Sequence, residues 1–181
     1  MRKVIFGGAN SLDGYFAGKD GEMDWLIWSD EAGELMNDMW PRIDTIVMGR
    51  KTYDAAVKNN PPTDTDETED DGGIKTYIFS RTMAPGPIKG GGEIVAEDPG
   101  IFIRDLKARD GKDICVMGGG DLARSLFEAG VIDEIGFNVH PILLGSGVPL
   151  FYEMSRRVNL QLLTCKPMKS GCVYLSYAVT N

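Results

Sequence analysis

The sequence predicts an α/β fold, with a mostly parallel central sheet, helices on both faces and an antiparallel edge at the C-terminal end. Two observations carry this. As far as Gly130, short apolar runs ending in glycine or other small residues alternate with stretches patterned for helix. Beyond it, three segments alternate apolar residues with other types every second position, as strands with one buried face do.

The elements follow in order. Val4-Ile5-Phe6, continued by Gly7-Gly8-Ala9, reads as a buried strand emerging at a ligand. Ser11 to Ala17 leads into a polar, Gly-containing loop through Gly21. Ser29 is an N-cap, and Asp30 and Glu31 stand in the first turn, where the helix dipole favours negative charge. Leu35, Met36, Met39 and Trp40 share one helical face, and Pro41 ends the helix. Thr45 to Met48 is a second buried strand, closed by Gly49-Arg50. Residues 58–73 are rich in Pro, Asp and Gly with almost no apolar residue, which predicts a mobile acidic insertion within a single domain spanning 1–181.

Lys75 to Phe79 is a third strand and Glu93 to Ala96 a fourth. Asp98-Pro99 supplies an N-cap and a proline at the first helical position for a helix reaching about Ala108. Asp113 to Met117 is a strand, Gly118-Gly119-Gly120 a turn, and Asp121 to Ala129 a helix with Gly130 as its C-cap. Ile135, Phe137 and Val139 then alternate with other types, as do Leu160, Leu162 and Thr164, and Val173, Leu175, Tyr177 and Val179. The last two strands are joined by a hairpin loop over Lys166 to Gly171.

Composition bounds the function. The chain has 181 residues, of which 43% are hydrophobic and 25% charged, ordinary for one globular core. No apolar run approaches the ~18–20 residues that span a bilayer. The basic start at Arg2-Lys3 has no long apolar stretch behind it, so it reads as a first strand and not as a signal peptide. Cys115, Cys165 and Cys172 are odd in number and lack C-x-x-C spacing, so neither a disulfide framework nor a metal cluster is expected. A cytoplasmic protein with no membrane partner follows. The net charge of −8 opposes nucleic-acid binding. Six acidic residues between Asp64 and Asp71 account for most of it, leaving a nearly neutral body that can hold a local cationic pocket.

Three loops follow three parallel strands, and such loops share the ligand-binding edge of an open α/β sheet. In Gly49-Arg50-Lys51-Thr52, glycine permits close approach, the guanidinium offers a forked donor to a phosphate, and Thr52 adds a hydroxyl. Ser80-Arg81-Thr82 repeats the hydroxyl beside a guanidinium. Gly118 to Gly120 opens onto a helix N-terminus, where backbone N–H groups favour a pyrophosphate. Taken singly, each loop also reads as an ordinary turn. As a set they suit a ligand with several phosphates. Gly118-x-Gly120-x-x-Ala123 has the form of a Rossmann fingerprint, but the end of the next strand holds Asn138-Val139-His140 where that motif requires an acid.

These residues, with Ser11-Leu12-Asp13-Gly14, Asp44 to Tyr53, Gly118 to Leu122, Val131 to Glu134 and Pro141 to Phe151, resemble the dihydrofolate-reductase-like superfamily. The nearer resemblance is to the reductase domain at the C-terminus of bifunctional riboflavin-biosynthesis enzymes (the RibD C-terminal domain). It implies NADPH as hydride donor, with Gly49, Arg50, Thr52, Ser80 and Arg81 near the adenosine 2′-phosphate. Gly118, Gly119, Gly120, Asp121 and Leu122 would hold the pyrophosphate, and Ala9, Phe16 and Ala17 would border the nicotinamide. A homodimer is also implied.

On the substrate side, the resemblance implies reduction of a ribosylaminopyrimidine phosphate, as in 5-amino-6-(5-phosphoribosylamino)uracil reductase, with Asp13 as a substrate contact. Trp25 and Asp30 reproduce the tryptophan–carboxylate spacing by which dihydrofolate reductases bind and protonate a pterin, so dihydrofolate is the alternative substrate. The interval from Asp30 to Gly49 is about three residues longer than usual in that family, so Gly33 or Glu34 is the alternative occupant of that place. Asp30 is the expected proton donor, and Trp25 and Trp28 are expected to line or cover the pocket. A non-catalytic nucleotide-binding module is a further alternative. His140, the single histidine, precedes Pro141 at a strand end and is expected to be structural.

Overall fold

The computed structural model describes residues 1–59, 73–88 and 92–180, so most of the acidic insertion lies outside the described residues. Strand β1 is Val4–Ser11 and β2 is Tyr15–Ala17. Helix α1, Asp30–Met39, starts where Ser29 Oγ accepts the Ala32 N–H, and a 3-10 turn over Trp40–Arg42 ends it at Pro41. Strand β3 (Ile43–Gly49) runs directly into helix α2 (Arg50–Asn59). Strands β4 (Lys75–Phe79), β5 (Gly86–Pro87) and β6 (Glu93–Val95) follow. Helix α3, Pro99–Lys107, is capped by Asp98, whose carboxylate accepts the Ile101 N–H at 3.0 Å. Strand β7 (Asp113–Met117), helix α4 (Gly120–Glu128) and strand β8 (Glu134–His140) come next. Strands β9 (Val148–Pro149), β10 (Asn159–Pro167) and β11 (Val173–Thr180) complete the described chain.

The main sheet has the order β10-β11-β8-β1-β7-β3-β4-β6-β5. Strands β8, β1, β7, β3, β4 and β6 are parallel, while β11 joins β8 antiparallel and β10 pairs with β11. The crossovers carrying α1 and α2 travel one way along this order, and those carrying α3 and α4 travel the other. Right-handed crossovers therefore set the two helix pairs on opposite faces. The expected fold class is what the chain adopts.

One face of the sheet holds the core. Val4, Phe6, Val47, Ile114, Val116 and Phe137 pack under Ile103 and Leu106 of α3 and Leu122, Leu126 and Phe127 of α4. Phe6 is fully buried and meets Phe16, Phe127, Phe137 and Phe151 edge-on. At the N-terminal end of the strands, buried Arg2 pairs with Asp44 and donates to the Lys112 carbonyl at 2.7 Å, closing that edge. No helix among the described residues is long and apolar enough to cross a membrane.

Beyond the unexpected helix α2 and the short strands β5 and β9, two features depart from the sequence reading. The first strand runs on through the glycines to Ser11, because β8 takes Gly7 to Ser11 in register with Gly136 to His140. A side chain on Gly7 would collide with the Gly136 carbonyl, so the pair of glycines lets the backbones fit. Part of the expected polar loop is β2, which pairs with β9 in a separate two-stranded ribbon, Tyr15 opposite Pro149.

Candidate functional site

Neighbouring strands β1, β7 and β3 send the chain to opposite faces, so a crevice opens beyond their C-terminal ends. Three of the expected loops meet there. Thr52, in the first turn of α2, packs its side chain against Gly118 at the end of β7. Gly49, the last residue of β3, faces Leu122 of α4. The Arg50 guanidinium reaches the third loop, donating to Thr82 Oγ1 at 2.6 Å, and its Nε lies 3.3 Å from the Asp54 carboxylate.

The glycine triplet has two jobs. Gly118 and Gly120 adopt φ +77° and +71°, which glycine takes without strain. Gly119 is the N-cap of α4 and, having no side chain, gives the first turn no side-chain cap. A helix N-terminus without a side-chain cap is a place where backbone N–H groups and the positive dipole end favour an anion. The triplet is also crowded by the protein itself. A Cβ on Gly119 would lie 2.6 Å from the Phe16 ring, and one on Gly120 would lie 2.9 Å from the Tyr152 ring.

The remaining expected cofactor residues divide. Phe16 stands between Gly8 and Gly119 and joins the aromatic core, while Ala17 is buried in β2. Ala9 is half-buried near the end of β1. The Ser80 hydroxyl is buried and accepts the N–H groups of Thr82 and Met83, so it shapes the turn that carries Arg81 into solvent. Asp121 is exposed and pairs with Arg124 one turn on, at 2.9 Å.

The expected substrate residues do not converge on one closed cavity. Asp13 is fully exposed, and its carboxylate accepts the Ser11 hydroxyl at 2.6 Å and the N–H groups of Leu144 and Gly145 at 3.1 and 2.7 Å. The Ser11 hydroxyl and those two amides hold its pKa below the ordinary value, and its position clamps the loop after β8. Asp30 and Glu34 lie on the exposed side of α1. Trp25 donates its indole N–H to the Glu22 carbonyl at 3.1 Å and sets its ring edge-on to His140, at 5.3 Å between centroids.

A polar cluster that the motifs did not flag lies at the end of β8. His140 is 2% exposed, and its Nδ1 accepts the Ile27 N–H at 3.2 Å with the Cys172 Sγ 3.5 Å away. Burial holds its pKa below the ordinary histidine value, favouring the neutral ring. Asn138 lies directly opposite Ala9 and two residues before His140 on the same face. Its Oδ1 is buried with no partner among the described residues, as is that of Asn10. The visible signal was the polar Asn138 and His140 on the face opposite Ile135, Phe137 and Val139. What it lacked was any indication that this face borders the crevice.

Comparison with known proteins agrees with this geometry. The family model for the RibD C-terminal domain matches residues 2–174. An uncharacterized Bacillus subtilis protein, YyaP, is 34% identical over 98% of this chain and 95% of its own length. A Shewanella sp. PV-4 structure provisionally assigned to riboflavin biosynthesis superposes with a TM-score of 0.78 at 27% identity, covering both chains fully. The Thermotoga maritima diaminohydroxyphosphoribosylaminopyrimidine deaminase/5-amino-6-(5-phosphoribosylamino)uracil reductase gives 0.71 at 15% identity, over 99% of this chain and 57% of that one. Enterococcus faecalis dihydrofolate reductase, complexed with NADP(H), gives 0.66 at 15% identity over 99% and 97%, which shows a shared fold. The chain belongs to the RibD C-terminal domain family and has the dihydrofolate-reductase-like fold.

Proposed function

On the premise of that family membership, we propose that the chain is an NADPH-dependent reductase of the riboflavin type. It would convert the ribosylamino group of a pyrimidine phosphate into a ribitylamino group. The observation that carries the reading is the junction of loops at the crevice. An α4 N-terminus without a side-chain cap touches the α2 start at Thr52, and Arg50 spans to Thr82. Backbone donors, two hydroxyls and the exposed Arg50 and Arg81 suit a pyrophosphate and a further phosphate, as NADPH carries. These residues fit the cofactor, which supplies a hydride from its nicotinamide C4.

The protein's own work is placement. Gly118 to Leu122 would hold the pyrophosphate, and Arg50 with Arg81 would hold the 2′-phosphate. Ala9, Phe16 and Ala17 would border the nicotinamide. Trp25 and Trp28 would line or cover the acceptor side. A proton reaches the acceptor from Asp30 or from water it orders. The Trp25–Asp30 spacing supports dihydrofolate as a second candidate substrate.

We further propose a cytoplasmic homodimer. Strand β10 is exposed along its whole length, with Leu160, Leu162 and Leu163 each 44% exposed or more, an apolar edge that a second copy would cover.

The test is fluorescence titration with NADPH and with NADH, followed by NADPH oxidation in the presence of the ribosylaminopyrimidine phosphate or dihydrofolate. Saturable NADPH binding, about tenfold tighter than NADH, is expected from the guanidinium–phosphate contact. No binding at millimolar NADPH overturns the reading. Oxidation with dihydrofolate alone, abolished in Asp30→Asn, selects the second substrate.

A further inference from the structure

The chain between β2 and α1 is held to the rest of the protein at one place. None of residues 18–30 is buried, and Trp28 is 76% exposed. Most of the hydrogen bonds here are local. Gly18 donates its N–H to the Glu22 carbonyl at 3.0 Å, and Leu26 donates to the Met23 carbonyl at 3.2 Å. The Trp25 indole also donates to the Glu22 carbonyl, at 3.1 Å. Among the described residues, one hydrogen bond leaves this segment for the sheet, from the Ile27 N–H to His140 Nδ1 at 3.2 Å. No ion pair among the described residues joins it to the sheet. Trp25 adds a ring contact, and it too falls on His140, edge-on at 5.3 Å between centroids. A segment with so little buried surface opens at low cost, so the two attachments to His140 decide where it lies.

His140 is the last residue of β8 and 2% exposed, and the segment is part of what keeps its ring from water. Only a bare Nδ1 accepts the Ile27 N–H; a proton there sets donor against donor. The titratable group touching the ring is the Cys172 thiol, 3.5 Å from Nδ1. Asn138 on β8 and Ser11, opposite on β1, are neutral, and the Ser11 hydroxyl is given to Asp13 at 2.6 Å. The charged groups next out are Asp13, Asp24 and Asp30 on the segment's side, and Lys169 at the hairpin turn, whose N–H the Glu31 carboxylate accepts at 2.9 Å. Burial is the cause that lowers the ring's pKa, so acid favours a state in which the ring meets water. We propose that His140 is a proton-operated latch: the neutral ring holds residues 18–30 against the C-terminal end of β8, and the protonated ring releases them. Because β8 lies beside β1, the latched segment borders the crevice, and its release opens that border.

Amide hydrogen exchange on the full chain without ligand tests this between about pH 7.5 and 4.5, with nitrogen-15 spectra following the His140 ring. After correction for the intrinsic pH dependence of exchange, the Ile27 amide is expected to lose about tenfold in protection as pH falls, the loss of one hydrogen bond. The midpoint should coincide with that of the His140 ring and lie below about pH 6.5, while the amides of β8 keep their protection. His140→Asn, whose Oδ1 takes the place of Nδ1 and does not titrate, should keep Ile27 protected at every pH. His140→Phe, which fills the space without an acceptor, should leave it unprotected at every pH. A ring that stays neutral throughout, Ile27 protection that holds while the ring titrates, or wild-type pH dependence in His140→Asn overturns the latch. So does loss of protection in β8 at the same midpoint, which means unfolding and not release. The free protein is what is measured, so the outcome stands whether or not the chain oxidises NADPH. Coincident midpoints in a protein that never oxidises NADPH uphold the latch and count against the reductase reading alone.

Discussion

The two faces of the central sheet are built to opposite rules. Under α3 and α4 the strands present Val4, Phe6, Val47, Ile114 and Val116, all fully buried, with a ring cluster around Phe6. On the other face the same strands present Ile5, Gly7, Ala9, Met48 and Met117, half-buried, with Gly136, Asn138 and His140 continuing across β8. The first face excludes everything but itself. The second is thinned by small residues and edged with polar ones, which leaves room where the strands end. Tight apolar packing is concentrated on one side, and the other is less closely covered.

That contrast can be broken from either side. The largest effect belongs to Phe6→Ala, which empties the centre of the ring cluster and is expected to cost about 3–5 kcal/mol in urea unfolding. A smaller loss would show that the neighbouring rings collapse into the space. Gly7→Ala, on the open face, drives a methyl at the Gly136 carbonyl and is expected to cost about 1–3 kcal/mol. No loss there would mean that β1 and β8 can part without penalty.

Arg50→Ala leaves both faces intact, because the side chain is exposed, and stability should change by no more than about 0.5 kcal/mol. NADPH affinity should nevertheless fall about tenfold while NADH affinity holds, read by fluorescence titration. Equal losses for both cofactors would remove Arg50 from the 2′-phosphate.

The gentlest probe is pH. Burial depresses the His140 pKa in the folded chain below its ordinary value of about 6.5. As pH falls, the unfolded chain therefore takes up a proton before the folded one does. This contribution to stability is complete above about pH 6.5 and declines below it, toward the folded pKa. Urea midpoints at pH 7.5 and 5.5 should differ more for the wild type than for His140→Gln; equal differences would mean that the ring titrates alike in both states.

Much of this organisation was legible in the chain. The caps at Ser29 and Asp98, the strand of Asp113 to Met117 and the glycine turn after it are written in local chemistry, and they stand where expected. Asp30 as the first residue of a helix was legible too, but its outward exposure was not, since that depends on how α1 lies against the sheet. The Asp13 clamp on Leu144 and Gly145 joins residues more than a hundred positions apart, and no local pattern announces such a bond. The same is true of Ile27 and His140, whose contact turns an ordinary loop amide into the group that sets a histidine tautomer.

By itself, then, the sequence determined the order of most of the main-sheet strands and three of the helices, the α/β class, and which loops carry glycine, guanidinium and hydroxyl groups suited to phosphates. Those properties follow from hydrophobic period, capping and turn chemistry, which act over a few residues. Tertiary structure decided which of these groups meet. Parallel pairing laid β7 between β1 and β3, so that Gly118 came against Thr52 and Arg50 reached Thr82. Register placed Asn138 opposite Ala9. Pairing and register are choices among distant segments, made by burying one apolar face on another, and only the folded chain carries out that comparison.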